Sequence, residues 1–250
     1  MFLGSILKKK AENSDLPKTP EEYRNGMEID WKILSPFPFS KLASFSWSQT
    51  PLRNGDSMPL LSIHFKTEES INVKDIYVFY IHGGGFVEGS ITGYSRAIVP
   101  LFDFIQKISL HSDEKLRFNI IMPEYRLAPE YLLPIAMEDC TDAYKYVIND
   151  LQINPDDIII MGDSAGGHLS FSTTLKIIEE NLPLPKMIIA FSPWTDLTIS
   201  LDSHINNQNL EAILGFETLV KFSKWAAPSL ELRQQYSLLS KSKGNYTLIR

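Results

Sequence analysis

The chain has 250 residues, 44% of them apolar and 11% aromatic, and carries 24 Lys and Arg against 30 Asp and Glu for a net charge of -6. That length suits one domain with a sizeable core, and the mild acidity leaves no basic stripe for nucleic acid. Cys140 is the only cysteine, which excludes an intrachain disulfide or a Cys-rich zinc site and leaves the redox compartment open.

In chain order, the opening MFLGSILKKK places its charges after its apolar stretch, the reverse of a secretory leader, and no apolar run approaches the roughly 20 residues that span a bilayer. The chain as given reads as soluble. Residues 1–59 are polar and aromatic, broken by Pro17, Pro20, Pro36, Pro38, Pro51 and Pro59, with a short helix predicted over residues 21–29. They read as a lid or flank rather than core. From Leu60 the pattern changes. Residues 60–65, 76–81, 118–122, 158–161 and 187–191 are rich in Ile, Val, Tyr and Phe and bounded by turn residues, which predicts strands. The near-continuous apolarity of the last four predicts burial on both faces, as in a parallel sheet. Between them, helical 3/4 spacing appears in Ile98, Leu101, Ile105 and Ile108, in Ala136, Cys140, Ala143, Val147 and Leu151, and in Phe171, Leu175, Ile178 and Leu182. The alternation predicts a mostly parallel α/β sheet flanked by helices, in one domain with a core at residues 60–199. Such sheets collect their chemistry at the carboxyl ends of the strands.

Two motifs stand at such ends. After residues 158–161 comes Gly162-Asp163-Ser164-Ala165-Gly166, a G-x-S-x-G between strand and helix. There the flanking glycines relieve a tight turn, the serine hydroxyl is exposed, and the Ala165 NH with the helix dipole is aimed at a developing oxyanion. After Ile81 stands His82-Gly83-Gly84-Gly85-Phe86, whose glycines let backbone NH groups approach a substrate carbonyl. His82 reads as an organiser of that loop, not as a base. Neither phosphate-binding glycine signature is present, and no metal or cofactor is called for.

With these motifs, with Glu124-Tyr125-Arg126-Leu127-Ala128-Pro129-Glu130 and with Ser192-Pro193-Trp194-Thr195-Asp196-Leu197, residues 60–200 resemble the hormone-sensitive-lipase-like branch of the α/β-hydrolases. That branch includes esterases, arylacetamide deacetylases and fungal steryl deacetylases. The resemblance implies a carboxylic-ester hydrolase with Ser164 as nucleophile and an oxyanion hole built from Gly83, Gly84, Gly85 and Ala165, in which Gly83 shapes the loop and the other three donate. It implies a lipophilic or acetyl ester as substrate and a second lid segment within residues 200–250; the aromatic residues Trp31, Phe37, Phe39, Phe45 and Trp47 read as a hydrophobic lid suited to lipophilic esters, with plain packing as the alternative. Residues 124–130 and 192–197 read as structural, with Arg126 holding an acidic neighbour. The residues as given fit the cytoplasm, and the resemblance adds association with the endoplasmic reticulum as an alternative. Nothing in the sequence sets an oligomeric state.

In this fold the triad runs Ser, then Asp or Glu, then His on later strands. The sequence offers no such pair. His64 and His111 precede the serine, His82 is in the glycine loop, His168 is one turn into the serine's helix, and His204 lies in a polar lid stretch. Asp196 and Asp202 are poor candidates for the acid, and after Phe191 the only further strand signal is at residues 246–249. The chain therefore reads as an esterase lacking its last strands. The alternatives are a catalytically silent ligand-binding homologue or an inactive fragment.

Overall fold

A computed structural model of the chain describes residues 19–22, 24, 43–66, 73–207, 210 and 214–241. Within them, β1 (Ala43–Pro51), β2 (Ser57–Phe65), β3 (Lys74–Ile81), β4 (Leu116–Pro123), β5 (Ile158–Asp163) and β6 (Met187–Phe191) form one sheet in the order β1-β2-β4-β3-β5-β6. β2 runs antiparallel to β1 and β4, whereas β4, β3, β5 and β6 are parallel. Helices α1 (Ile91–Ser109), α2 (Ile135–Asn149) and α3 (Ala165–Glu179) connect the parallel strands. After β6 come α4 (Asp202–Asn206), α5 (Phe216–Ala226), α6 (Leu230–Tyr236) and α7 (Leu238–Lys241).

Successive side chains of a strand point to opposite faces. Val78 and Tyr80 of β3 join a cluster with Ile98, Val99 and Phe102 of α1, while Phe79 and Ile81 join one with Ala136, Cys140 and Val147 of α2 and Leu169 of α3. Both faces are covered, which is why β3, β4 and β5 read as unbroken apolar runs. Cys140 lies fully buried in the second cluster, and burial pushes its thiol well above the usual range. Among the described residues no helix is long and apolar enough to cross a membrane.

The five predicted strands and three predicted helices fall where the patterns place them, with three differences. Residues 43–51, assigned to the flank, form the edge strand β1. Phe45 and Trp47 stand 38% and 58% exposed there, so little of the strand is buried and its sequence carries no core signature. A turn closed by Leu52 NH on the Asp56 carbonyl (2.9 Å) leads to β2, which starts at Ser57, ahead of the expected boundary. Strand β6 departs from the expectation of two-faced burial. Met187 and Phe191 are 47% and 50% exposed, because β6 pairs only with β5 among the described residues and burial is set by neighbours, not composition. Of the helix predicted at residues 21–29, residues 20–22 and 24 are helical and the rest lies outside the described residues, as do Trp31, Phe37, Phe39 and the strand signal at residues 246–249.

Candidate active site

Ser164 sits between the end of β5 and the start of α3 with φ +51° and ψ -116°, a conformation that side chains seldom adopt and that persists only where neighbours over-determine it. Its NH donates to the Phe191 carbonyl at 2.9 Å, and its carbonyl accepts from Trp194 NH at 2.9 Å and His168 NH at 3.0 Å. The turn is thus fastened to the end of β6, to the loop after it and to its own helix. The glycines around it are steric necessities. A Cβ on Gly162 would meet the Gly166 carbonyl oxygen at 2.4 Å, and one on Gly166 would meet the Ile81 and His82 carbonyl oxygens at 2.0 and 2.6 Å. That contact seats the first turn of α3 directly on the end of β3, where the glycine loop begins. The Ser164 side chain is partly exposed and makes no hydrogen bond among the described residues.

Asp163, the residue before the serine, ties the two motifs together. Its Oδ1 accepts from Gly83 NH at 3.1 Å and from the Tyr80 hydroxyl at 2.9 Å, and its Oδ2 accepts from the Tyr94 hydroxyl at 3.2 Å. Burial raises the Asp163 pKa in spite of these donors. Gly83 NH is therefore engaged inside the loop. Gly84 and Gly85 follow with φ +109° and +61°, and their NH groups, like that of Ala165, have no acceptor among the described residues. A Cβ on Gly85 would strike the Phe222 ring at 2.1 Å, so α5 packs onto the loop from outside.

His82 is fully buried, and desolvation lowers its pKa to about 4, so the ring is neutral at pH 7. Its Nδ1 lies 2.7 Å from the Gly83 carbonyl oxygen, a contact that requires a proton on Nδ1, and its Nε2 has no hydrogen-bond partner. The Tyr125 hydroxyl donates to the His82 carbonyl at 2.8 Å. His82 thus braces the loop, as its position in the sequence implies. Phe86, at the loop's end, stacks on Trp194 with centroids 5.7 Å apart and meets His168 edge-on at 5.4 Å.

Residues 124–130 form a brace. Arg126 grips the fully buried Asp139 through Nη2 to Oδ1 at 2.7 Å and backbone NH to Oδ2 at 2.9 Å, the acidic neighbour the sequence left unnamed. Arg24 was not singled out by sequence, yet it donates to the Val87 and Ala128 carbonyls at 2.7 Å each and pairs with Glu130 at 2.7 Å, clasping the glycine loop to the brace. Phe222 and the gripping role of Asp163 were missed as well. Each depends on a contact between distant segments, and no local pattern marks them.

Three of the remaining four histidines are engaged away from the serine. His64 Nδ1 bonds Asn119 at 3.0 Å, His111 Nδ1 bonds the Lys107 carbonyl at 2.7 Å, and His168 Nδ1 bonds the Trp194 carbonyl at 2.9 Å. His204 Nδ1 lies 3.9 Å from Asp196 Oδ2, beyond hydrogen-bond range. Burial works against ionisation of Asp196, but donors from Thr198 and Ser200 prevail and hold its pKa below the usual value. Among the described residues no cluster of three His, Cys, Asp or Glu side chains suits a metal ion.

Comparison with known proteins gives one family match, to the alpha/beta hydrolase fold, over residues 78–245. An esterase of Acinetobacter venetianus is 33% identical over 142 residues, covering 57% of this chain and 43% of that protein. The arylacetamide deacetylase of Oryctolagus cuniculus is 30% identical over 140 residues, covering 52% and 32%. The chain therefore spans less than half the length of either relative. Among solved structures, a hormone-sensitive lipase from a metagenome library superposes with a TM-score of 0.76 at 26% identity, over 95% of this chain and 72% of that one.

Proposed function

The chain belongs to the alpha/beta hydrolase fold family, and on that premise we propose that it carries the nucleophile and oxyanion hole of a carboxylic-ester hydrolase acting on lipophilic or acetyl esters. In this reading Ser164 Oγ attacks the ester carbonyl, and the NH groups of Gly84, Gly85 and Ala165 stabilise the tetrahedral oxyanion. Gly83 and Asp163 hold the loop that presents two of those donors. The single observation that carries the reading is the seating of Gly166 against the end of β3, which sets the strained serine turn beside the start of the glycine loop. The esterase and deacetylase relatives support the same class of reaction.

A second reading rests on the Ser164 hydroxyl, which makes no hydrogen bond to an imidazole among the described residues. A serine without a base is a weak nucleophile, so a site that keeps the glycine loop and binds esters without turning them over fits this feature. Incubation with a p-nitrophenyl phosphonate, read by intact mass and peptide mapping, separates the two. The ester-hydrolase reading expects a slow adduct confined to Ser164 and absent from Ser164→Ala. Complete lack of adduct, with ester binding retained, would establish the silent form.

A further inference from the structure

The turn that carries the glycine loop holds one carboxyl group that the ester reading leaves unused. Glu88 is 9% exposed. Its carbonyl oxygen and Cγ lie against Gly84, where an added Cβ would come within 2.1 and 3.1 Å of them. Its Oε2 is buried and has no hydrogen-bond partner among the described residues. Buried carboxyls are ordinarily paired or hydrogen-bonded, because an unpaired charge gives up its water without replacement. The cation that acts on Glu88 is Arg24, whose guanidinium is committed to Val87, Ala128 and Glu130. Among the described residues, the other titratable group coupled to it is Tyr94 on α1, which burial keeps neutral. Burial pushes the Glu88 carboxyl up to about 7, with Arg24 pulling the other way. A carboxyl that no hydrogen bond satisfies among the described residues, and whose cationic neighbour Arg24 is committed elsewhere, thus stands beside Gly84, one of the NH groups assigned to the oxyanion.

Resting on the reading of Ser164 and the glycine loop as an ester site, we infer that Glu88 is a specificity-determining residue that selects esters carrying a cationic group, such as an ammonium, in their alcohol or acyl part. The physics runs two ways. A neutral ester leaves the carboxylate uncompensated, and the carboxylate then opposes the negative charge that develops at the carbonyl oxygen. A cationic ester brings a counter-charge of its own, so the same electrostatic interaction favours binding and offsets that opposition.

The test compares two isosteres, acetylcholine and 3,3-dimethylbutyl acetate, in which carbon replaces the quaternary nitrogen. Calorimetry on Ser164→Ala, which turns over neither ester, reads binding. At pH 8 the cation binds tighter on the order of tenfold, a modest fraction of the attraction between unit charges a few ångströms apart. Adding Glu88→Gln abolishes the preference, and at pH 5.5 the unaltered carboxyl, protonated, loses most of it without any substitution at position 88. Equal binding of the two esters, binding of neither, or a preference that survives both the Gln variant and pH 5.5 overturns the assignment. Phosphonate labelling judges the Ser164 reading separately. Failed labelling with the preference intact sinks that reading alone, and normal labelling with equal binding sinks the Glu88 assignment alone.

Discussion

Gly166 is the point at which the elbow and the glycine loop depend on a missing side chain. Replacing it with alanine places a methyl 2.0 Å from the Ile81 carbonyl oxygen and 2.6 Å from that of His82. Both are backbone atoms, that of Ile81 in a strand end paired with β5 and that of His82 directly after it, so neither can swing aside as a side chain would. Cβ contacts shorter than 3.0 Å are essentially never found, so α3 must retreat from β3 by about an ångström. Overpacking of this kind costs about 1–3 kcal/mol where some relaxation is possible, and two backbone obstacles place Gly166→Ala at or above the upper end. For a chain of this size each kcal/mol moves Tm by about 2–4 °C, so the expected fall is about 6–12 °C. Gly215→Ala is the control, since a Cβ there meets nothing within 4 Å. Differential scanning calorimetry of the three chains gives the comparison, and exchange of the Gly83 amide reports whether the loop has parted from Asp163. If Gly166→Ala melts within 2 °C of the parent, with Gly83 still protected, the close seating of helix on strand is not what joins the two motifs.

Asp163→Ala removes the acceptor for three donors, those of Tyr80, Tyr94 and Gly83, and at about 1 kcal/mol each it should lose about 3 kcal/mol in urea unfolding; Asp163→Asn, which keeps an acceptor oxygen, should lose less than half of that, and equal losses would contradict the assignment. Asp139→Ala strands Arg126 beside a buried vacancy and should cost about 3–5 kcal/mol, and a loss below 1 kcal/mol would show that the brace is dispensable. Glu88 should make stability depend on pH in the direction opposite to a salt-bridged acid. Its folded pKa of about 7 lies above the ordinary 4.5, so its contribution is full below pH 4.5 and is lost as pH rises through 7, by about 3 kcal/mol at 1.36 kcal/mol per pH unit. Glu88→Gln should lack this loss, and a parent-minus-Gln difference that stays flat from pH 5 to pH 8 would refute it.

The central sheet was legible because β3, β4 and β5 are buried on both faces and write that fact into unbroken apolar runs. β1 was not, since an edge strand with Phe45 and Trp47 facing outward has no periodic apolar face to display. The exposure of β6 was hidden for the converse reason, its composition being that of a central strand while its pairing is that of an edge. At the site, Ser164 and the three glycines could be read because a tight turn and a close backbone approach demand glycine at fixed spacing. The residues that grip the loop could not. Asp163 occupies a position that the motif leaves unspecified, and Arg24 and Phe222 reach the loop from segments 63 and 137 residues away from Val87 and Gly85.

The solitary thiol of Cys140 reports on the interior. Held at 0% exposure between α2 and the sheet, with burial keeping it protonated, it stays silent to a thiol reagent while that layer is closed. Its alkylation rate therefore measures how often α2 lifts from the sheet, without any label being introduced. Surface cysteines can be added one at a time as spectroscopic probes, because the native thiol will not compete with them until the fold opens.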